Sequence, residues 1–270
     1  MEVNTPPLLI DIGGRRLAMR VCGNEEPTVV LEMGLGGKGS MYDAIAKQVS
    51  TFTCVVWYDR AGLGQSDPVP TPRTVQDLVV DLHALLHTAN IPHPYILVGH
   101  SLGGLAVRFY REHYPDEVVA LVLIDSAHEE QRQRQLAILP PKQLDEPSSL
   151  TQLRHAWQVS WEDPNANEER IDNLANSKLM LSCRTLGSTP LTVISRGHSD
   201  RDPEKYPPEL VKSIEQIWRQ MQIELAQLSS QSRHLIAAKS GHMINEDEPE
   251  VIVEAIRQMV MYVRNERINQ

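Results

Sequence analysis

Cysteine, phenylalanine, basic charge and long apolar runs are all scarce in this 270-residue chain, and each scarcity closes off a class of protein. Three cysteines, Cys22, Cys54 and Cys183, cannot all pair and show no metal-ligand spacing, which argues against a disulfide scaffold and fits reduced thiols in the cytoplasm. Two phenylalanines and 5% aromatic residues leave a core that must be built from aliphatic side chains. No stretch approaches the roughly 18 apolar residues of a membrane span. Met1-Glu2-Val3-Asn4-Thr5-Pro6-Pro7 lacks the basic-then-apolar order of a leader, so no stable membrane association is expected. Lysine and arginine number 26 against 35 acidic residues, for a net charge of −9. A surface of that sign disfavours nucleic acid, which requires basic groups to displace its counterions.

What is present is organised around Tyr95-Ile96-Leu97-Val98-Gly99-His100-Ser101-Leu102-Gly103-Gly104, an apolar run that stops at Gly-x-Ser-x-Gly and resumes with helical spacing. The pattern predicts a strand, a very tight turn and a helix, with Ser101 at the apex and Gly99 and Gly103 relieving the crowding around it. A helix beginning at Leu102 points that residue's N–H at the space beside the serine oxygen, where negative charge develops in acyl transfer.

Upstream, Leu8–Ile12 and Arg16–Val21 around Gly13-Gly14 read as a hairpin, and Thr28–Glu32 and Cys54–Tyr58 as buried strands. Met33-Gly34-Leu35-Gly36-Gly37 allows close backbone approach and offers the Leu35 N–H as a second oxyanion donor. The stretch Asp59–Asp67 reads as an architectural loop and Thr74–Asn90 as an amphipathic helix. Val118–Ile124 is a strand buried on both faces that ends at Asp125-Ser126-Ala127-His128. From Glu129 to Thr189 the pattern turns polar and loosely helical, predicting an insertion over the sheet whose Trp157 and Trp161 line a substrate pocket, with Leu136, Ile138, Leu139 and Met180 sheltering an acyl chain. Leu191–Ser195, a helix over 208–228, Arg233–Ala238, Ser240-Gly241-His242 and a final helix over 249–267 complete the chain, so strands and helices alternate as in a parallel sheet covered on both sides.

The serine elbow, the glycine-rich loop, the Asp59–Asp67 stretch, the late insertion and the Ser-Gly-His after the last strand together resemble the α/β-hydrolase superfamily, in its lid-bearing, serine-esterase-like branch. The resemblance implies an α/β fold: a mostly parallel eight-stranded sheet with helices on both faces. Residues 1–128 and 190–270 would form the core, and a helical cap, 129–189, would follow strand six. It implies Ser101 as nucleophile and His242 as its base, and a serine hydroxyl needs such an imidazole to take its proton. His100 is expected to point away from the substrate face; His83, His87, His113 and His155 read as surface or packing residues, and His128 is a lesser competitor for the base. For the acid, Asp125 at the end of a rigid strand is preferred over Asp200, which sits in a charged loop beside Arg196, Arg201 and Asp202.

These residues predict hydrolysis of a small-molecule carboxylic ester through an acyl-enzyme, with no cofactor and no metal. Lactonase, thioesterase, amidase, carbon–carbon hydrolase and perhydrolase chemistry use the same parts. A ligand-binding or signalling module with little turnover is the reading from a different class.

Overall fold

Successive side chains of a strand face opposite sides of its sheet, and in this chain both sides are apolar. Val30, Leu97, Leu121, Leu123 and Val193 fall in one buried cluster, while Val29, Leu31, Ile96, Val98, Val122 and Ile194 fall in another. The computed structural model, which describes residues 6–202 and 204–268, accordingly places a sheet between two helical layers; the Met1–Thr5 segment read for a leader lies outside the described residues.

The strands are β1 (Leu8–Asp11), β2 (Arg16–Cys22), β3 (Thr28–Glu32), β4 (Val55–Asp59), β5 (Tyr95–His100), β6 (Val118–Ile124), β7 (Leu191–Arg196) and β8 (Ser232–Ala237), in the order β1-β2-β4-β3-β5-β6-β7-β8. β2 runs antiparallel to β1 and β4, and every pairing from β4 to β8 is parallel. This is the expected eight-stranded, mostly parallel architecture. Residues from α1 (Asp43–Val49) and α8 (Pro249–Ile268) pack on one face; residues from α2 (Val75–Thr88), α3 (Leu102–His113) and α7 (Pro208–Ala226) pack on the other. Thr74 starts α2 through a capping box with Asp77. The chain leaves β3 toward β4 on one side and β5 lies on the other, so the crevice at the carboxyl ends of β3 and β5 is the natural place for a ligand.

The segment after β6 carries α4 (Gln131–Ala137), α5 (Ser148–His155), a π-helical turn at Ala156–Ser160 and α6 (Asn173–Leu179). It is more firmly built in than a unit folded over the top of the sheet. Ile171, Met180, Cys183 and Leu186 belong to the same cluster as the inner faces of α2 and α3, while Leu150, Leu153 and Trp157 pack on Leu210 and Ile214 of α7. Asn176 Oδ1 also accepts the Val75 N–H at 2.7 Å, tying the segment to the first turn of α2. Of the described residues, none forms a helix long and apolar enough to cross a membrane.

The start of α3 presses on β3. A Cβ at Gly103 would stand 2.4 Å from the Glu32 carbonyl oxygen and 2.6 Å from that of Met33. Backbone cannot yield as a side chain does, so Gly103→Ala is expected to destabilise the fold by about 1–3 kcal/mol, read as a lower urea midpoint. An unchanged midpoint would show that α3 is free to slide away from β3.

Candidate active site

Ser101 sits between β5 and α3 with φ 51° and ψ −117°, a conformation that non-glycine residues reach only when their surroundings impose it. Here they do. Its N–H donates to the Ile124 carbonyl at 3.1 Å, and its own carbonyl accepts from Gly104 and Ala127, each at 3.0 Å. The turn thereby holds Ser101 at the mouth of the crevice, and the N–H of Leu102, in the first turn of α3, belongs to the donors that a helix start leaves without an intrahelical acceptor.

Asp125 follows β6 and is wholly buried. Its carboxylate is surrounded by donors: Oδ1 accepts from Trp218 Nε1 at 2.8 Å and from the Arg196 N–H at 3.1 Å, and Oδ2 lies 2.6 Å from His242 Nδ1 and 3.4 Å from Arg196 Nη1. Burial by itself would raise the pKa of this carboxyl. The His242 hydrogen bond, the Arg196 charge and the Trp218 N–H outweigh it and hold the group below the usual carboxylate range. Asp200 has a different place: both its oxygens accept the backbone N–H of His242 at 3.0 Å, so it anchors the loop that carries the imidazole, while the ring itself meets Asp125. The α7 residues Glu215, Trp218 and Gln222, on one helical face, reach Arg196, Asp125 and the Ser126 carbonyl respectively. Sequence periodicity takes these three simply for positions on an amphipathic helix.

A second buried charge cluster lies under the glycine-rich loop. Arg60 donates to Glu32, to Glu169, and to the carbonyls of Met33 and Gly34. Glu169, from the inserted segment, also accepts the Gly36 N–H at 2.7 Å. The loop containing Leu35 is therefore held from both sides, by a core arginine and by a carboxylate of the insertion. Asp59 accepts from Gly39 and Gln65, in keeping with an architectural Asp59–Asp67 stretch.

Two cavities meet at Ser101 and Leu35. One, of about 230 Å³, is lined by Met33, Met41, Tyr42, His100 and His242. The other, of about 270 Å³ under the insertion, has Leu105, Ala127 and Ala156 beside Gln131, Ser160, Trp161, Asn167, Asn173 and Ser177. Trp161 thus has the expected position, and its indole Nε1 is buried with no partner among the described residues. Trp157 does not: it packs with Leu150, Leu153, Leu210 and Ile214, and Leu136, Ile138 and Leu139 lie against the same cluster. In an ordinary helix two residues four apart share a face, but the Trp161 N–H bonds back to the Ala156 carbonyl, five residues away, and the wider turn rotates one indole off the other's face. His100 also departs from expectation. It lines the first cavity, with Nε2 3.0 Å from the His242 carbonyl, and burial together with the neighbouring His242 drives its pKa down to about 4. His128 lines the second cavity, where Nδ1 accepts from the Glu130 N–H and Nε2 lies 3.5 Å from Glu224.

With this geometry established, comparison places the chain plainly: residues 27–194 match the model of the alpha/beta hydrolase fold family, and the protein belongs to that family. The Bacillus subtilis protein YqjL, itself uncharacterized, is 27% identical over 87% of this chain and 83% of its own length. A Hormonema carpetanum protein named as a transporter, efuK, is 26% identical over 93% of this chain, which spans only 42% of that relative. Among solved structures, a thermophilic esterase from Thermogutta terrifontis superposes with a TM-score of 0.64 at 17% identity, covering 96% of this chain and 99% of the esterase. The chain is a hydrolase of the α/β fold.

Two stability measurements follow from the buried groups. His100 binds fewer protons folded than unfolded between pH 6.5 and about 4, so its contribution is present above that window and lost as pH falls through it. The loss amounts to about 3 kcal/mol, and His100→Gln should flatten this part of the stability–pH curve from urea titrations. Glu169→Ala leaves Arg60 paired with Glu32 alone and takes the acceptor from Arg60 Nε and from the Gly36 N–H, a loss of buried hydrogen bonds to a charged group expected to cost about 1.5–3 kcal/mol. In thermal unfolding Glu169→Gln, which keeps an acceptor for Gly36, should lose less; equal losses would mean that the carboxylate charge, and not the hydrogen bond to Gly36, holds this loop.

Proposed function

We propose that this hydrolase cleaves small, polar carboxylic esters through an acyl-enzyme on Ser101. The observation that carries the reading is the 2.6 Å contact of His242 Nδ1 with Asp125, beside a cavity that His242 and Ser101 line together. In the reaction Ser101 attacks the ester carbonyl while His242 takes its proton and then returns it to the departing alkoxide. Asp125 keeps the imidazole in the tautomer whose Nε2 accepts, and stabilises it once it is charged. The N–H groups of Leu35 and Leu102 bind the oxyanion, a role each fills at the cost of little reorganisation because both backbones are pinned. Water, activated by the same histidine, releases the acid. The chemistry calls for no cofactor, and buried Cys54 and Cys183, outside any disulfide, are in keeping with work in the cytoplasm.

Substrate size follows from the two cavities, of about 230 and 270 Å³, which offer one compartment to each side of the scissile bond. The larger carries amides, hydroxyls and the unpartnered Trp161 N–H, so a group with hydrogen-bond acceptors suits it better than the medium aliphatic chain suggested by the apolar residues of the insertion.

A fluorophosphonate probe followed by mass spectrometry tests the nucleophile, with one adduct expected on Ser101 and none in His242→Ala. In p-nitrophenyl acetate turnover, Asp125→Asn should lose about 10⁴-fold and Asp200→Asn far less; the reverse order would move the acid's role to Asp200. Acetate should outpace octanoate, and a folded protein that takes no probe and turns over no ester would favour ligand binding as its business.

A further inference from the structure

Two histidines of α2, His83 and His87, lie four residues apart and so present their rings on one face, a turn from each other. The short turn that leads into β6 brings Glu117 against them. His87 Nε2 is 2.9 Å and His83 Nε2 3.3 Å from the same carboxylate oxygen, Oε1. The three side chains thus offer ligand atoms that all lie within 4.8 Å of one another.

We propose that His83, His87 and Glu117 form a binding site for a divalent first-row transition ion, zinc in the first instance, with water completing the coordination. At metal–ligand distances of about 2.0–2.1 Å, the corners of a tetrahedron stand roughly 3.3 Å apart. Two edges of the required figure are therefore close to their final length, and closing the third asks for a small movement of two rings. The donor set also selects the ion. Two imidazoles and one carboxylate suit zinc, copper or nickel, whereas magnesium and calcium would demand oxygen ligands in greater number.

The surroundings are those of a supported site. Tyr110 donates its hydroxyl to Glu117 Oε2 at 2.6 Å, the kind of outer contact that orients a ligating carboxylate and leaves Oε1 for the ion. His83 is stacked on Tyr114, with centroids 3.9 Å apart and planes 11° from parallel, which fixes its ring.

The position assigns the site a role separate from Ser101. Glu117 precedes β6 and Asp125 follows it, so the cluster and the candidate active site lie at opposite ends of the sheet. An ion there would fasten the C-terminal part of α2 to the connection between α3 and β6, and would take no part in ester chemistry.

The test is calorimetric titration of zinc chloride into the metal-free full-length protein, paired with thermal unfolding and with the visible spectrum of the cobalt(II) form. One saturable equivalent, a melting temperature that rises with zinc and the intense cobalt bands of a tetrahedral site are expected. His87→Ala, a change at a half-exposed side chain, should weaken zinc at least tenfold and abolish the bands, and Glu117→Gln should do likewise. Absence of saturable binding would reduce the cluster to hydrogen-bonded histidines stacked on a tyrosine. Undiminished binding in the folded His83→Ala/His87→Ala double variant would put the metal elsewhere and equally overturn the proposal.

Discussion

A carboxylate taken wholly out of water must be surrounded by donors or it will not stay charged. Asp125 meets that demand, and much of the arrangement at the carboxyl end of the sheet answers to it. Strand β7 contributes the Arg196 N–H and guanidinium, α7 the Trp218 N–H, and the loop after β8 the His242 imidazole. Each comes from a different stretch of chain, so a single buried charge fixes the mutual placement of three elements. Arg196 is itself held by Glu215 and lies 4.6 Å over the Trp218 ring, and Gln222 ties the same helix to the Ser126 carbonyl. With Asp125 so confined, Asp200 holds the backbone of the His242 loop.

The second cluster repeats the principle with the signs reversed. Arg60 is the buried cation, and Glu32 and Glu169 are its counterions. One carboxylate comes from β3 and the other from the inserted segment, so the arginine joins core and insertion directly beneath the glycine-rich loop. Burial raises the pKa of Glu32, while the Arg60 charge and the Tyr58 hydroxyl pull it back toward the ionised form. Removing either acid would leave Arg60 with a single carboxylate and break the link that it makes through the other.

What was legible in the sequence was whatever a short stretch must do by itself. The strained backbone of Ser101 needs glycines next to it, and so the elbow can be read locally; β5 and β6, buried on both faces at the centre of the sheet, are near-continuous apolar runs and can be read the same way. Asp125 and Asp200 both follow strands, and only the path of the β8 loop separates the one that meets the imidazole from the one that holds its backbone. Glu169 was invisible because it lies in a polar insertion rich in glutamate, where its burial depends on an arginine 109 residues away. Trp157 and Trp161 were treated alike since helical spacing makes them equivalent, and a single π-type turn parts them. The α7 triplet had no local signal: Glu215, Trp218 and Gln222 lie in a helix read only as 208–228, and their partners Arg196, Asp125 and Ser126 are distant in sequence.

The insertion therefore cannot be regarded as a passive lid. Asn167 lines the cavity under it, and two residues further on Glu169 grips both Arg60 and the Gly36 N–H. The backbone just beyond Glu169 is pinned in turn, because Arg73 exchanges hydrogen bonds with Arg170 and Asp172 on either side of Ile171. A shift of this segment wide enough to admit a larger ligand at Asn167 would pull on Glu169, and through it on the loop that presents the Leu35 N–H. The size of that cavity and the placement of the Leu35 N–H are then coupled through a few residues of one strap. The cavity can be reshaped without disturbing that loop only by changes that keep Glu169 in place, which makes the walls contributed by α4, the π turn and α6 the freer positions and the 167–172 strap the constrained one.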